Sequence, residues 1–316
     1  VDIITIEIEN INVEALEELK KENKIVYPQP QVLKIVQDKS LQKEFYFNNN
    51  IPSTPFRIFN SKDEIKKFLS KEGRSYPFIW KSSKMGYDGY GVKVIDNNNS
   101  IEDIPDKHCI IEDKAEIKKE LSVMVVSRPS GELINYPVVE MEFNTKSNQV
   151  EYIISPARIS QEIKEKAENL ALRVCKSFGN IGLLAVEMFL TIDDDLLVNE
   201  VAPRPHNSYH FSIEGSETSQ FEQLIRSILD LPIGNTNMTD KSVMVNLVGE
   251  PDTKGPVVYK NMDKIIGIKG VNPHIYEKKE TRPNRKMGHI TVINSDIETA
   301  IKIAKEIKQT VRVTST

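Results

Sequence analysis

Cysteine is scarce in this sequence, with two in 316 residues. Cys109 and Cys175 both sit among apolar neighbours. A disulfide framework is therefore not expected, and buried free thiols in a reducing cytoplasm are the better reading. Long apolar runs are lacking too. None approaches the ~18 residues that cross a bilayer, and the chain does not open on a basic-then-apolar leader, so no membrane partner is expected. Neither charge sign dominates: 42 basic against 46 acidic side chains leave a net charge of −4. Nucleic acid would favour a strongly basic face and is not expected as a partner, although a local basic cluster can still hold a small anion. Internal repeats and low-complexity linkers are absent as well. What remains is an ordinary globular composition, 39% hydrophobic and 28% charged, in a chain long enough for two or three packed lobes.

Along the chain the pattern changes twice. Alternation over residues 3–9 predicts a strand, the spacing of Val13, Leu16 and Leu19 a helix over 12–24, and 24–27 a second strand ended by Pro28. This is the rhythm of a parallel α/β unit. Because the sequence opens already inside a strand, an upstream segment is expected. Residues 31–48 read as one charge-rich helix, and Ser61 with Glu64 forms a capping box ahead of Ile65, Phe68 and Leu69. From 78 to 139 short strands take over, at 78–81, 92–95, 109–112, 121–127 and 133–139. A helix is predicted over 160–178, with Gly179 just past its end. Strands at 183–191 and 196–201, a helix over 220–229, short β segments from 241 and a last helix over 297–307 complete the reading.

Five groups of residues carry chemistry. Lys81 closes a strand, and Gly86, Gly89 and Gly91 follow before Val92 resumes one. Glycines let backbone N–H groups turn toward an anion, and a lysine supplies a point charge for phosphate. The order is wrong for a P-loop, and no helix follows as in a dinucleotide fold. A phosphate-covering hairpin and a plain glycine-rich β-turn both stay open. Glu112-Asp-Lys-Ala115, with Glu120 beyond it, offers an acid at a strand end for adenine or ribose, or simply a solvated acidic end. The strongest signal is Glu187 in the strand Leu-Leu-Ala-Val-Glu-Met-Phe-Leu and Glu200 in Leu-Leu-Val-Asn-Glu-Val-Ala-Pro. A hairpin turning symmetrically about Asp193 and Asp194 sets these acids face to face, Cβ atoms roughly 5 Å apart. Opposed like charges call for a cation between them; hard oxygen ligands suit Mg2+, with Asn199 as a further ligand. A longer, asymmetric turn would instead send both acids to solvent. Arg204, His206, Asn207, Ser208 and His210 follow around two prolines, a polar density suited to an anion or a reacting group. Finally, Lys278, Lys279, Arg282, Arg285 and Lys286 put five cations into nine residues, as a phosphate site or a solvated basic loop.

Together these residues resemble the N5-carboxyaminoimidazole ribonucleotide synthetase family of ATP-grasp enzymes. The resemblance spans nearly the whole chain, from Thr5-Ile-Glu-Ile-Glu-Asn10 to Met287-Gly-His289. Its most specific pieces are Gly86-Tyr-Asp-Gly-Tyr-Gly91, Asn199-Glu-Val-Ala-Pro-Arg-Pro-His-Asn-Ser208, Thr218-Ser-Gln-Phe-Glu222 and Arg282-Pro-Asn-Arg-Lys-Met-Gly-His289. Val243-Met-Val-Asn-Leu-Val-Gly249 is also family-like. The resemblance implies an α/β (α+β) chain with an ATP-grasp fold. Residues 1–38 would be a remnant of an N-terminal biotin-carboxylase-like α/β domain, 39–234 the ATP-grasp domain with a lid over 60–116, and 235–316 a small β-rich C-terminal domain. It also implies ATP- and bicarbonate-dependent carboxylation of 5-aminoimidazole ribonucleotide to the N5-carbamate in purine biosynthesis, through carboxyphosphate, with ADP and phosphate released.

Carried over position by position, Lys39, Lys81, Gly86, Tyr87, Asp88, Gly89, Tyr90, Gly91, Glu112, Asp113, Lys114, Ala115, Glu120, Asn199 and Glu200 would bind ATP. Glu187, Glu200 and Asn199 would hold Mg2+. Asp88, Arg204 and His206 would be catalytic, and Glu9, Tyr87, Asn207, Ser208, Lys278, Lys279, Arg282 and Arg285 would bind the acceptor nucleotide. A homodimer that passes its product to a separate mutase is implied as well. Two departures limit the carry-over. The family's glycine-rich turn near its N-terminus has no counterpart here, and a position near Phe143, a histidine in some relatives, is apolar. One rival reading is another ATP-grasp ligase with a different acceptor, which the 282–289 segment discriminates. The other is a non-catalytic nucleotide-binding relative, against which the presence of both Glu187 and Glu200 stands.

Overall fold

Val13 and Leu16 bury one side of helix α1 (Val13–Lys21), whose first turn is closed by the Asn12 side chain accepting from the Ala15 amide. The helix joins two short parallel strands, β1 (Ile3–Ile4) and β2 (Ile25–Val26). The computed structural model describes residues 1–72, 76–84, 91–144 and 147–316. The strand expected over 3–9 is thus only two residues long, because β2 offers β1 no more than two partners. Beyond it the Glu9 and Ile11 carbonyls accept from the Gln37 side chain, at 2.6 and 2.8 Å. The helix expected over 31–48 is two helices, α2 (Pro30–Val36) and α3 (Lys39–Asn48). Asp38 turns extended between them, and its carboxylate caps the amides of Ser40 and Leu41.

Strands β3 (Phe56–Phe59), β4 (Phe78–Ser82), β5 (Val92–Ile95) and β6 (Cys109–Asp113) form one antiparallel sheet in the order β3-β6-β4-β5. It folds with α4 (Lys62–Glu72) and α5 (Asn98–Glu102) over a core that includes Ile65, Phe78, Trp80, Ile95 and Ile111.

The remaining strands are β7 (Ile117–Ser127), β8 (Leu133–Asn135), β9 (Val139–Phe143), β10 (Val150–Ser155), β11 (Gly182–Thr191), β12 (Leu196–Ala202), β13 (Lys241–Val248), β14 (Gly255–Lys260), β15 (Val271–Ile275), β16 (Glu280–Thr281), β17 (Lys286–Asn294) and β18 (Arg312–Ser315). Nine of them make one sheet ordered β12-β11-β7-β9-β10-β13-β17-β15, with β8 beside β7, and β16-β14-β18 make a small third sheet. The large sheet crosses position 235 without a break in pairing, since β10 bonds to β13. The helices here are α6 (Gln161–Phe178), α7 (Ser212–Gly215), α8 (Gln220–Ile228) and α9 (Ile297–Thr310). Gly179, at φ 59°, ends α6 in the left-handed conformation that glycine adopts without strain. On one face of the sheet Leu121, Val123, Val186, Met188 and Val198 pack with α6 and α3. On the other, Met141, Ile153, Ala185, Tyr209 and Met244 form a second core, and alternation from Ala185 places Glu187 on this face.

The strands expected at 78–81, 92–95, 109–112, 183–191 and 196–201 lie within a residue of those bounds. The one expected over 133–139 is cut at Pro137, which has no amide to continue a ladder. Among the described residues no helix is long and apolar enough to cross a membrane.

Candidate active site

Glu187 and Glu200 are paired across the β11–β12 ladder, as the hairpin reasoning requires, but by a different route. Next to the turn Leu190 faces Leu196 and Met188 faces Val198, a register centred on Asp193. Continued unchanged, it would set Glu187 against Asn199. A bulge at Asn199 adds one residue to β12 and brings Glu200 opposite Glu187. The Lys39 ammonium lies 2.8 Å from Glu200 Oε2 and holds the Glu200 carboxyl well below the usual carboxylate range. Glu187 goes the other way, pushed up by burial and by the facing charge of Glu200. The Glu200 side chain keeps 46% of its surface accessible against 12% for Glu187, so Glu200 is the member open to a ligand. Glu120 lies on β7 two residues before Ser122, which pairs with Glu187, and so shares their face. Burial, then Glu200, pushes its carboxyl up to about 7. Among the described residues no set of three or more His, Cys, Asp or Glu is placed to hold a metal ion. Two carboxylates and an amide oxygen, from Glu187, Glu200 and Asn199, are hard donors of the kind that take Mg2+ when substrate phosphate oxygens complete the shell.

Lys81, at the end of β4, reaches the same place from the other sheet, 3.1 Å from Asn199 Oδ1 and 2.9 Å from Glu112 Oε2. Glu112 is 2% exposed, which overturns the solvated strand end as a reading of this acid. Its second oxygen meets the Lys43 ammonium at 3.1 Å, and Lys43 also donates to Thr54 Oγ1 at 2.9 Å. Burial opposes ionisation of Glu112, but Lys81 and Lys43 outweigh it and hold its carboxyl below the usual range. Lys43 carries no expectation from the sequence; it stands one helical turn after Lys39 on α3, a spacing that was the available signal. Asp113, Lys114 and Ala115 run from β6 toward β7, with the Asp113 amide donating to the Pro55 carbonyl at 3.0 Å. Gly86, Tyr87, Asp88, Gly89 and Tyr90 lie outside the described residues. Gly91, at φ 79°, accepts from the Ser82 amide at 2.9 Å and so closes the β4–β5 hairpin.

The segment after β12 closes over the acids. His206 Nε2 is 3.5 Å from Glu187 Oε1, and its Nδ1 is 2.8 Å from Ser208 Oγ, which in turn contacts Ser122 Oγ at 3.1 Å. Burial, then the charges of Arg204 and Lys286, pulls His206 down to about 3 and His210 to about 4, with Lys286 the larger of the two charges at His210. Arg204 pairs with Glu9 at 2.6 Å, so two expected site residues far apart in sequence meet. Asn207 exchanges two amide hydrogen bonds of 2.9 Å with Asn246 on β13. Gln220, at the start of α8, bonds to both His206 and His210.

From the C-terminal strands, Lys278 donates to the Lys286 carbonyl at 2.8 Å and lies 5.5 Å from the Tyr276 ring centroid. Tyr276 OH is 2.9 Å from His289 Nδ1, and the His289 ring stacks between His210 and His274. Lys279 and Arg282 are exposed on the loop, and Arg285 donates to the Glu280 carbonyl at 2.7 Å. Gly249 is needed where this loop docks: a Cβ there would come within 2.2 Å of the Arg282 carbonyl. Asn246, Gln220, Tyr276 and His289 join the site without having been singled out as site residues, and Lys286, expected only as part of the basic cluster at 278–286, reaches it too. Each lies beside an expected motif in sequence or faces one across a strand pair.

Three family models match the chain: the ATP-grasp domain over residues 44–221, the phosphoribosylaminoimidazole carboxylase C-terminal domain over 242–303, and the ribonucleotide synthetase preATP-grasp domain over 1–37. The N5-carboxyaminoimidazole ribonucleotide synthase of Bacillus subtilis is 38% identical over 296 residues, covering 92% of this chain and 74% of its own length. The phosphoribosylaminoimidazole carboxylase of Candida glabrata is 37% identical over 310 residues. That alignment covers 94% of this chain but 53% of the relative, so the chain spans about half the length of such curated relatives. Among solved structures, N5-carboxyaminoimidazole synthase from Aspergillus clavatus in complex with ADP and 5-aminoimidazole ribonucleotide superposes with a TM-score of 0.87 at 32% identity, covering 98% of this chain and 81% of that one. With its acids, lysines and closing loop on an ATP-grasp framework, this chain belongs to the N5-carboxyaminoimidazole ribonucleotide synthase family.

Proposed function

We propose that the chain carries the ATP- and bicarbonate-dependent carboxylation of 5-aminoimidazole ribonucleotide to the N5-carbamate, releasing ADP and phosphate. The observation that carries this reading is the facing pair Glu187 and Glu200, with Lys39 and Lys81 converging on the same strand ends. In this reading Lys39 and Lys81 turn from their protein partners to the phosphate chain of ATP, and Glu187, Glu200 and Asn199 hold Mg2+. When bound, Mg2+ neutralises charge on the phosphate being transferred. Arg204, anchored by Glu9, presents a cation to bicarbonate. Bicarbonate oxygen attacks the γ-phosphorus, ADP leaves, and the carboxyphosphate breaks into phosphate and CO2, which the exocyclic amine captures. His206 is kept neutral by burial, so it offers the site a hydrogen bond rather than a charge, and the proton that the amine releases goes to the phosphate freed with CO2. Lys278, Lys279, Arg282 and Arg285 supply the positive side for the ribonucleotide phosphate.

Self-association as a homodimer is consistent with the exposed apolar stripe of Phe221, Ile225 and Leu229, and the product would pass to a separate mutase. Purified protein should hydrolyse ATP only with bicarbonate and the ribonucleotide both present. ATP turnover indifferent to the ribonucleotide would sink the assignment.

A further inference from the structure

Gln220 is a buried glutamine whose orientation the surrounding backbone fixes. It is 0% exposed and opens α8 behind the Ser219 cap. Its Oε1 accepts from the His206 amide at 2.8 Å, and its Nε2 donates to the His206 carbonyl at 3.1 Å. A backbone N–H only donates and a backbone carbonyl only accepts, so the side-chain amide has one chemically possible orientation. The same Nε2 lies 2.8 Å from His210 Nδ1. An N–H facing that nitrogen requires Nδ1 to carry the lone pair, which leaves the His210 proton on Nε2.

The His210 ring is held in plane as well as in tautomer. It stacks on Phe221 at 5.8 Å and on His289 at 5.1 Å, and His289 stacks on His274 at 4.5 Å. His274 is tied in turn to Glu214 at 2.6 Å. Among the described groups, Arg204, Lys286, His274, His289 and Tyr276 face His210 with their charge or rings. The two cations and burial keep it neutral. Among the described residues His210 Nε2 has no hydrogen-bond partner, and the His210 side chain is only part-buried. His206, four residues earlier on the same segment, already touches Glu187.

We propose that Gln220 is a positioning residue that locks His210 as a neutral Nε2–H donor toward an uncharged acceptor atom of the nucleotide that is carboxylated. This rests on the function proposed above. A neutral donor of fixed direction suits a ring nitrogen or a hydroxyl. A cation in its place would draw electron density from an aminoimidazole and weaken its amine as a nucleophile.

The test combines a spectroscopic and a kinetic arm on the full chain. In 15N-histidine NMR spectra, with the His210 signals identified by their loss in His210→Phe, Nδ1 should be unprotonated and Nε2 protonated at neutral pH. Gln220→Glu replaces the donor by an acceptor and should move the proton to Nδ1. His210→Phe keeps the stack but has no N–H. It should raise the KM for 5-aminoimidazole ribonucleotide about tenfold while leaving that for ATP within about twofold. This second variant serves if Gln220→Glu does not fold. A proton on Nδ1 of wild-type His210 would overturn the lock, and an unchanged ribonucleotide KM in His210→Phe would overturn the donor role. ATP hydrolysis that ignores the ribonucleotide in the wild type would overturn the functional reading and the donor role with it, while the tautomer measurement would still decide the lock.

Discussion

Lys43 and Glu112 are each only 3% exposed at the side chain, which makes their pairing costly to disturb. A buried charge that loses its partner keeps its desolvation penalty and loses the compensation. Lys43→Met would leave Glu112 with Lys81 as its remaining ion pair and the Thr54 hydroxyl as a neutral donor, and we expect a loss of about 3 kcal/mol in denaturant unfolding. Lys43→Met combined with Glu112→Gln should recover most of it; a single-variant loss too small to measure would contradict the pairing. Glu200 has the opposite balance. It is accessible, and its charge presses on Glu187 and Glu120. Glu200→Gln should cut ATP turnover at least about a hundredfold with little change in thermal midpoint, and wild-type rates would remove it as a ligand. Both acids were legible from sequence because apolar strands around a turn define a register. Lys43 was not, since its helix reads only as charge-rich and nothing local singles this lysine out until β6 is laid against it.

At the scale of elements, two short devices place the lysine and the acid. The Asp38 cap breaks what reads as a single helix and starts α3 at Lys39, whose amide donates to the Ser83 carbonyl at 2.7 Å. Asp38→Ala should cost about 1 kcal/mol in thermal or denaturant unfolding and raise the KM for ATP, with Asp38→Asn far milder because it can still cap. Equal losses in the two variants would argue against capping. The Asn199 bulge does the corresponding work on β12. Symmetric hairpin counting reached the right pair because two departures cancel. The turn is centred on Asp193 rather than between Asp193 and Asp194, which shifts the pairing by one residue, and the bulge restores the offset. Sequence carries the period of a strand but not the position of an extra residue, which the pleat accepts only once the neighbouring strands are in place.

For the whole molecule, the clustering of four of its five histidines, His206, His210, His274 and His289, sets the response to acid. Burial pulls His206 down to about 3, His210 to about 4 and His289 to about 2. Their contribution is fully present above the ordinary histidine pKa of about 6.5 and is lost as pH falls through the folded values. Glu120, raised to about 7, opposes this. Its folded pKa lies above its unfolded one, so its contribution is present below about 4.3 and lost as pH rises through about 7. In metal-free protein the thermal midpoint should therefore fall progressively as pH drops from about 6.5, because three depressed histidines outweigh the raised carboxyls of Glu120 and Glu187. The fall should be steepest below about 4.3, where those carboxyls no longer offset them. Replacing His289 with Phe should make that acid limb shallower; an identical limb would count against the stack as its source.

By itself the sequence determined the α/β (α+β) class, most strand positions, the opposed acids and the family, because period, turn residues and motif spacing are local properties of the chain. Only the tertiary structure decided that β13, β15 and β17 extend the central sheet and carry Asn246, His274, Lys286 and His289 to the loop at 204–210. That outcome depends on which edge strand β10 meets, and pairing between strands some ninety residues apart is set by burial of the two apolar faces rather than by any local pattern.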